Sequence, residues 1–250
     1  MTTFTEEQAL DAICWSADVD GLDVLMDTID AMPRLRKIKI DRLFVDTYGP
    51  EVFQLLVENY PELLVFFDAK YAEIPTKLAE LATIGCSHRP WMLNCMADCL
   101  SNGDFSNADQ KKLDGLKQFA DICHDNSVQP CAVSVLTTKT DRMTTYQFNG
   151  RNRVEQVLFY AEHLVEAGFT HIVCSPKELK ALRAERSFDG LIAVNAGIRP
   201  AGSARDDQVN ADTPRATLEA GSGLLVIGRP LTSGDPAENL TNIVAEIIAT

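Results

Sequence analysis

The chain of 250 residues contains no apolar run approaching the roughly 20 residues that a membrane-crossing helix requires. Residues 1–10 are polar and acidic and unlike a signal peptide, so a cytoplasmic location is expected. Basic residues are in short supply: 23 Lys and Arg stand against 36 Asp and Glu, for a formal net charge of −13. Such a chain has no basic surface with which to release counterions from a phosphate backbone, which argues against nucleic acid as a partner, and no membrane partner is expected. A small anionic ligand is not excluded, because it needs only one or two local cations. Metal-ligand spacing is also lacking. Cys95 and Cys99 lie four apart, no second Cys/His pair completes a zinc set, and His88, His124, His163 and His171 are scattered, so no metal is expected. The seven cysteines are odd in number, and reduced thiols are the expected state.

No repeat, linker or low-complexity stretch divides the chain, which reads as a single domain over residues 1–250. Its 46% hydrophobic and 24% charged composition is that of a globular protein. Short runs rich in Val, Ile, Leu and Phe recur at 12–17, 36–40, 63–68, 91–96, 130–137, 171–174, 191–195 and 224–227. Continuous apolar runs of this kind are expected of parallel strands buried on both faces. Between them lie segments of helical period. Leu22, Leu25, Met26 and Ile29 fall on one face, and so do Val52, Leu55, Leu56 and Asn59. Val154, Val157, Leu158, Ala161, Leu164 and Val165 repeat the pattern before Gly168 closes the helix. Eight alternations in this length predict an α/β fold, a single (β/α)8 TIM barrel. An open doubly wound sheet is the competing architecture, and it is weakened by the lack of a G-x-G-x-x-G after the first strand.

Active-site groups of such barrels come from the carboxyl ends of the strands. Read in order, these ends offer Asp18, Lys39, Asp68 with Lys70, Asn94, Thr137, Arg199 and Arg229. Strand alternation puts Asp68 and Lys70 on the same side, both inward if one is. Any one of these residues reads equally well as part of a stabilising ion pair. Two lysines and two carboxylates converging from neighbouring strands point to catalysis, since buried charge is costly unless paired or functional. The last two strands lead into Gly197-Ile198-Arg199-Pro200-Ala201-Gly202 and Gly228-Arg229-Pro230. Glycines that admit a phosphate close to the backbone, together with arginines able to pair with it, predict an anion site. Asp206 and Asp207 in the same loop would repel a phosphate and are expected to face solvent.

Asp68-Ala69-Lys70-Tyr71-Ala72-Glu73-Ile74-Pro75 resembles the D-x-K-x-x-D-I-P signature of the orotidine 5′-phosphate decarboxylase family. Ile38-Lys39-Ile40, Tyr48-Gly49-Pro50-Glu51-Val52, Val173-Cys174-Ser175, Gly197-Ile198-Arg199-Pro200, Asp207-Gln208, Thr213-Pro214 and Val226-Ile227-Gly228-Arg229-Pro230 follow its pattern in order and spacing. D-x-K-x-x-D alone is shared with keto-gulonate-phosphate decarboxylase and hexulose-phosphate synthase; the later set is more specific to the orotidylate branch. The resemblance implies a homodimeric, cofactor-free and metal-free carboxy-lyase of pyrimidine nucleotide biosynthesis. Its substrate would be a nucleotide monophosphate, orotidine 5′-monophosphate (OMP), converted to uridine 5′-monophosphate (UMP). By position, the resemblance implies Lys70 as proton donor, Asp68 against the departing carboxylate, and Lys39 keeping the charges alternating and touching the ribose. It likewise implies Asp18 on the sugar hydroxyls, Thr137 on the base, Gln208 bridging base and phosphate, Arg229 with Gly228 on the phosphate, and Arg199 in the same ligand loop. Glu73 would reach the ribose in the partner subunit's site.

The pattern breaks in places. Glu73 stands where the family has Asp, and the usual His and Gly-Gly pair are absent around Met96, Ala97, Asp98, Cys99 and Leu100. Ala196 replaces the proline before Gly197, and Thr76-Lys77 replaces the usual residues after Ile-Pro. At the level of sequence, alternatives stay open: a divergent homologue acting on another phosphorylated nucleotide or sugar, or a nucleotide-binding protein without turnover.

Overall fold

Eight parallel strands close into a barrel in chain order: β1 (Ile13–Ser16), β2 (Lys37–Asp41), β3 (Leu64–Tyr71), β4 (Met92–Met96), β5 (Gln129–Val133), β6 (His171–Cys174), β7 (Ile192–Ala196) and β8 (Leu224–Ile227). β8 pairs back onto β1 through Ile13–Leu225 and Cys14–Val226, and helices surround the ring. The computed structural model describes residues 2–100, 108–200 and 212–249. The expected (β/α)8 architecture is the one observed, and all four residues of β1 and of β8 are buried, as two covered faces require.

Alternation along the strands sorts the core into two layers. Ile13 and Trp15 of β1, Val65 and Phe67 of β3, and Leu225 and Ile227 of β8 pack outward beneath the helices. Cys14, Phe66, Met92, Cys131, Val194, Leu224 and Val226 meet inside the barrel. The inward positions two residues further along are Ser16, Asp68, Asn94, Val133, Ala196 and Gly228. An apolar plug thus fills the barrel, and a small and polar layer sits above it at the carboxyl ends.

Three local expectations need correction. The run at 130–137 is not strand throughout: β5 stops at Val133, and Thr137 lies in the loop beyond it. The carbonyls of Val135, Leu136 and Lys139 are bonded by the Arg153 guanidinium instead of a neighbouring strand. In the helix Arg153–Glu166, Val165 is exposed while Arg153 and Gln156 are buried, so the buried stripe is rotated towards polar residues. Gly168 closes this helix as expected, at φ +80°, a conformation open to a residue without Cβ. The third correction concerns β3. Phe67 pairs with Leu93 and Tyr71 with Cys95, so four steps along β3 match two along β4. The excess forms a bulge that carries Asp68, Ala69 and Lys70, and Lys70 has φ +46°.

Candidate active site

Above the apolar plug opens a cavity of about 380 Å³, within the usual size range of small-molecule sites. Asp18, Lys39, Asp68, Lys70, Thr137, Arg199, Gly228 and Arg229 all line it, so the structure brings together eight of the residues singled out from sequence. Glu73 does not line this cavity; its carboxylate accepts the Ile74 backbone N–H at 3.2 Å, outside the barrel mouth. Gln208, Asp206 and Asp207 fall outside the described residues.

The charged groups form an alternating row. Lys39 Nζ lies 3.7 Å from Asp18 Oδ1 and 3.1 Å from Asp68 Oδ2, and Lys70 Nζ lies 2.5 Å from the same Asp68 oxygen. Lys39 and Asp68 are buried, whereas the Lys70 side chain is 41% exposed to the cavity. Burial works to raise the Asp68 pKa, but the Lys39 and Lys70 ammoniums and the hydrogen bonds from Lys70 and Asn94 overcome it and hold it at about 2. Burial likewise opposes the charge on Lys39, and the Asp68 and Asp18 carboxylates outweigh it, so its pKa is raised. Asp68 and Lys39 are therefore both ionised at neutral pH.

The folded-state pKa of Asp68 lies below the ordinary 3.8, so its stabilisation is fully present above about pH 4 and is lost as pH falls towards 2. The depression corresponds to roughly 2 kcal/mol. In urea unfolding compared at pH 4.5 and pH 2, Asp68→Asn is expected to lose about that much less stability than the unmodified protein. Equal losses would show that Asp68 is not held ionised in this way.

Lys70 reaches the site by a route that alternation did not foresee. It does share the inward side with Asp68, yet through the bulge and a left-handed backbone rather than a regular pleat. For a residue with a side chain, that conformation costs on the order of 1 kcal/mol and persists only where its surroundings fix it. The backbone N–H of Lys70 donates to Asn94 Oδ1 at 2.7 Å, and Asn94 Nδ2 donates to Asp68 Oδ1 at 2.6 Å.

The opposite side of the cavity is neutral. Thr137 belongs to the loop after β5, and sequence reasoning missed what holds that loop. Arg153, buried at the start of its helix, donates to Lys139 O at 2.7 Å, to Val135 O and Leu136 O, and to Glu178 Oε1 at 2.7 Å. Glu178 in turn accepts the Ser175 backbone N–H and hydroxyl. The Ser175-x-x-Glu178 spacing is a capping box legible in sequence, but the buried ion pair is not.

The strand-seven and strand-eight ends form the third wall. Gly197 has φ +80°, and the Arg199 backbone N–H bonds Asp212 O at 3.0 Å, which fixes the start of the loop. A Cβ at Gly228 would meet Asp18 Oδ2 at 3.4 Å, so glycine keeps the backbone open beside that carboxylate. Arg229 opens the short helix Arg229–Thr232 at the rim. A cation beside helix-start amides can hold a phosphate. Among the described residues, no group of three His, Cys, Asp or Glu could hold a metal, and no helix is long and apolar enough to cross a membrane.

Comparison with known proteins agrees with this geometry. The sequence model of the Orotidine 5'-phosphate decarboxylase / HUMPS family matches residues 11–243. An orotidine 5′-phosphate decarboxylase of Haemophilus influenzae is 35% identical over 225 residues, 89% of this chain and 91% of that protein. One of Pseudoalteromonas translucida is 31% identical over 219 residues, 87% and 88% of the respective chains. Among solved structures, the orotidine 5′-phosphate decarboxylase of Lactobacillus acidophilus superposes with a TM-score of 0.77 at 23% identity, over 96% of this chain and all of that one.

Proposed function

The chain belongs to the orotidine 5′-phosphate decarboxylase family and catalyses the decarboxylation of OMP to UMP, a step of pyrimidine nucleotide synthesis, and we propose that the row Asp18–Lys39–Asp68–Lys70 carries out the chemistry. The observation that carries this reading is the single Asp68 oxygen shared by two ammoniums at the barrel mouth.

In this reading the phosphate binds at Arg229 and the Gly228 amide, with Arg199 and Gln208 in the same ligand loop. The ribose lies against Asp18 and Lys39, and the base against Thr137. The substrate carboxylate then meets the Asp68 carboxylate. That like-charge contact relaxes as neutral carbon dioxide leaves. The C–C bond breaks heterolytically and leaves its electron pair on the ring carbon. The Lys70 ammonium stabilises the developing carbanion and gives it a proton, and the resulting amine is reprotonated from water. The electron balance closes with no metal and no cofactor. The phosphate grip, remote from the breaking bond, supplies binding energy for holding this geometry.

The working unit in this reading is a homodimer with Glu73 reaching the partner subunit's site. Glu73 stands outside its own cavity, and beside it Ile74 is exposed, as is Leu43 at 73%. An interface that covered Ile74 and Leu43 would remove both from water. Light scattering is expected to give twice the 27.5 kDa chain mass, and a monomer would refute the shared site. A cytoplasmic location fits the six described cysteines, all free and buried.

To test substrate class, the purified protein is incubated in EDTA with OMP and, separately, with a hexulose phosphate. UMP and carbon dioxide in equal amounts from OMP alone are expected. Turnover of the sugar phosphate alone would assign the chain to another branch of its superfamily.

A further inference from the structure

We infer that Asn94 is a positioning residue for the decarboxylation, a clamp from β4 that fixes the Lys70 backbone and the Asp68 carboxylate in one arrangement. The inference rests on the reading of Asp68 and Lys70 as reacting groups.

The geometry is that of a two-point hold. Asn94 is fully buried, and both ends of its carboxamide are engaged, the oxygen by the Lys70 N–H and the nitrogen by Asp68 Oδ1. Only one orientation of the amide satisfies both contacts, because the carboxylate accepts and the backbone N–H donates. The bulge explains the need for such a hold. Within it β3 runs out of register with β4, and the Asn94 side chain accepts the Lys70 N–H. That same amide belongs to the residue held at φ +46°. Were Lys70 to relax to an ordinary extended backbone, its Cβ direction would turn and carry Nζ away from the reacting carbon. The second contact orients Asp68. With Oδ1 held by Asn94, Oδ2 is the oxygen that faces both Lys39 and Lys70.

Asn94 touches neither ammonium, so its effect is on position rather than charge transfer. A displacement near 1 Å costs about 10²-fold in rate. Asn94→Ala is therefore expected to lower kcat about 10²-fold per UMP-binding site, with KM and UMP affinity within about threefold. Sites are counted by calorimetric titration with UMP, so any misfolded fraction is removed from the rate. Asn94→Asp keeps an acceptor for the Lys70 amide but sets a second carboxylate against Asp68. Lys39 of β2, Lys70 of its own strand and the thiols of Cys14 on β1 and Cys131 on β5 also face Asp68, and all remain unchanged in this variant. The acid limb of its kcat–pH profile is accordingly expected to move to higher pH.

A purely structural role would reduce the number of UMP sites and leave kcat per site at its original value; that result overturns the inference. If Asn94→Ala binds no UMP, the near-isosteric Asn94→Asp carries the same comparison. Lys70→Ala is measured in parallel. Full turnover in Lys70→Ala would instead overturn the reading of Lys70 on which the clamp rests.

Discussion

Replacing Lys70 by alanine is expected to lower kcat for OMP by at least about 10⁴-fold while UMP affinity stays within a few-fold. Two effects disappear together. Delivery of a proton by a positioned side chain is worth typically about 10²–10⁴-fold, and a fixed charge aimed at a developing anion about 10²–10³-fold. Neither effect is needed to bind UMP, which carries no carboxylate and forms no carbanion. The ammonium sits 2.5 Å from Asp68, so its removal leaves that carboxylate paired with Lys39 and Asn94 rather than stranded. The fold should therefore survive, and UMP titration checks that it does. Near-normal turnover would show that the proton comes from elsewhere.

The second large effect concerns the opposite end of the substrate. Arg229→Ala is expected to raise KM for OMP about 10²-fold. A hydrogen bond to a charged group contributes about 1.5–3 kcal/mol, and an arginine fork can make two to one phosphate. About 1.4 kcal/mol corresponds to a factor of ten, so loss of the fork sets this scale. The same variant should discriminate far less between OMP and orotidine, the nucleoside without the phosphate, because the phosphate will have lost its partner. An unchanged KM would remove Arg229 from the phosphate site.

These two residues also mark how far the sequence is legible. The position of Arg229 at the cavity was legible because Gly228-Arg229-Pro230 directly follows a strand, and the ends of barrel strands face the site. The barrel itself was legible because strands buried on both faces read as unbroken apolar runs, and eight of them are visible. Lys70 is different. Its side of the strand could be read, but the pleat that seemed to explain its direction is interrupted by a bulge. An excess of residues relative to a neighbouring strand is a property of pairing, which a one-strand pattern does not encode. For the same reason Asn94 stood out only as one polar strand-end residue among several, although it bridges two strands. Arg153 was hidden more completely. An arginine in a first helical turn looks like surface, and its burial arises from three loop carbonyls and Glu178 brought together by the fold.

The most direct test of the account is the ultraviolet absorbance of orotate after purified protein, in EDTA, is mixed with OMP. The charge row at the barrel mouth predicts continuous loss of that absorbance over many turnovers, with UMP as product and inhibitor. A stable absorbance in a preparation that still binds UMP at one site per chain would contradict it and leave a nucleotide-binding protein without turnover.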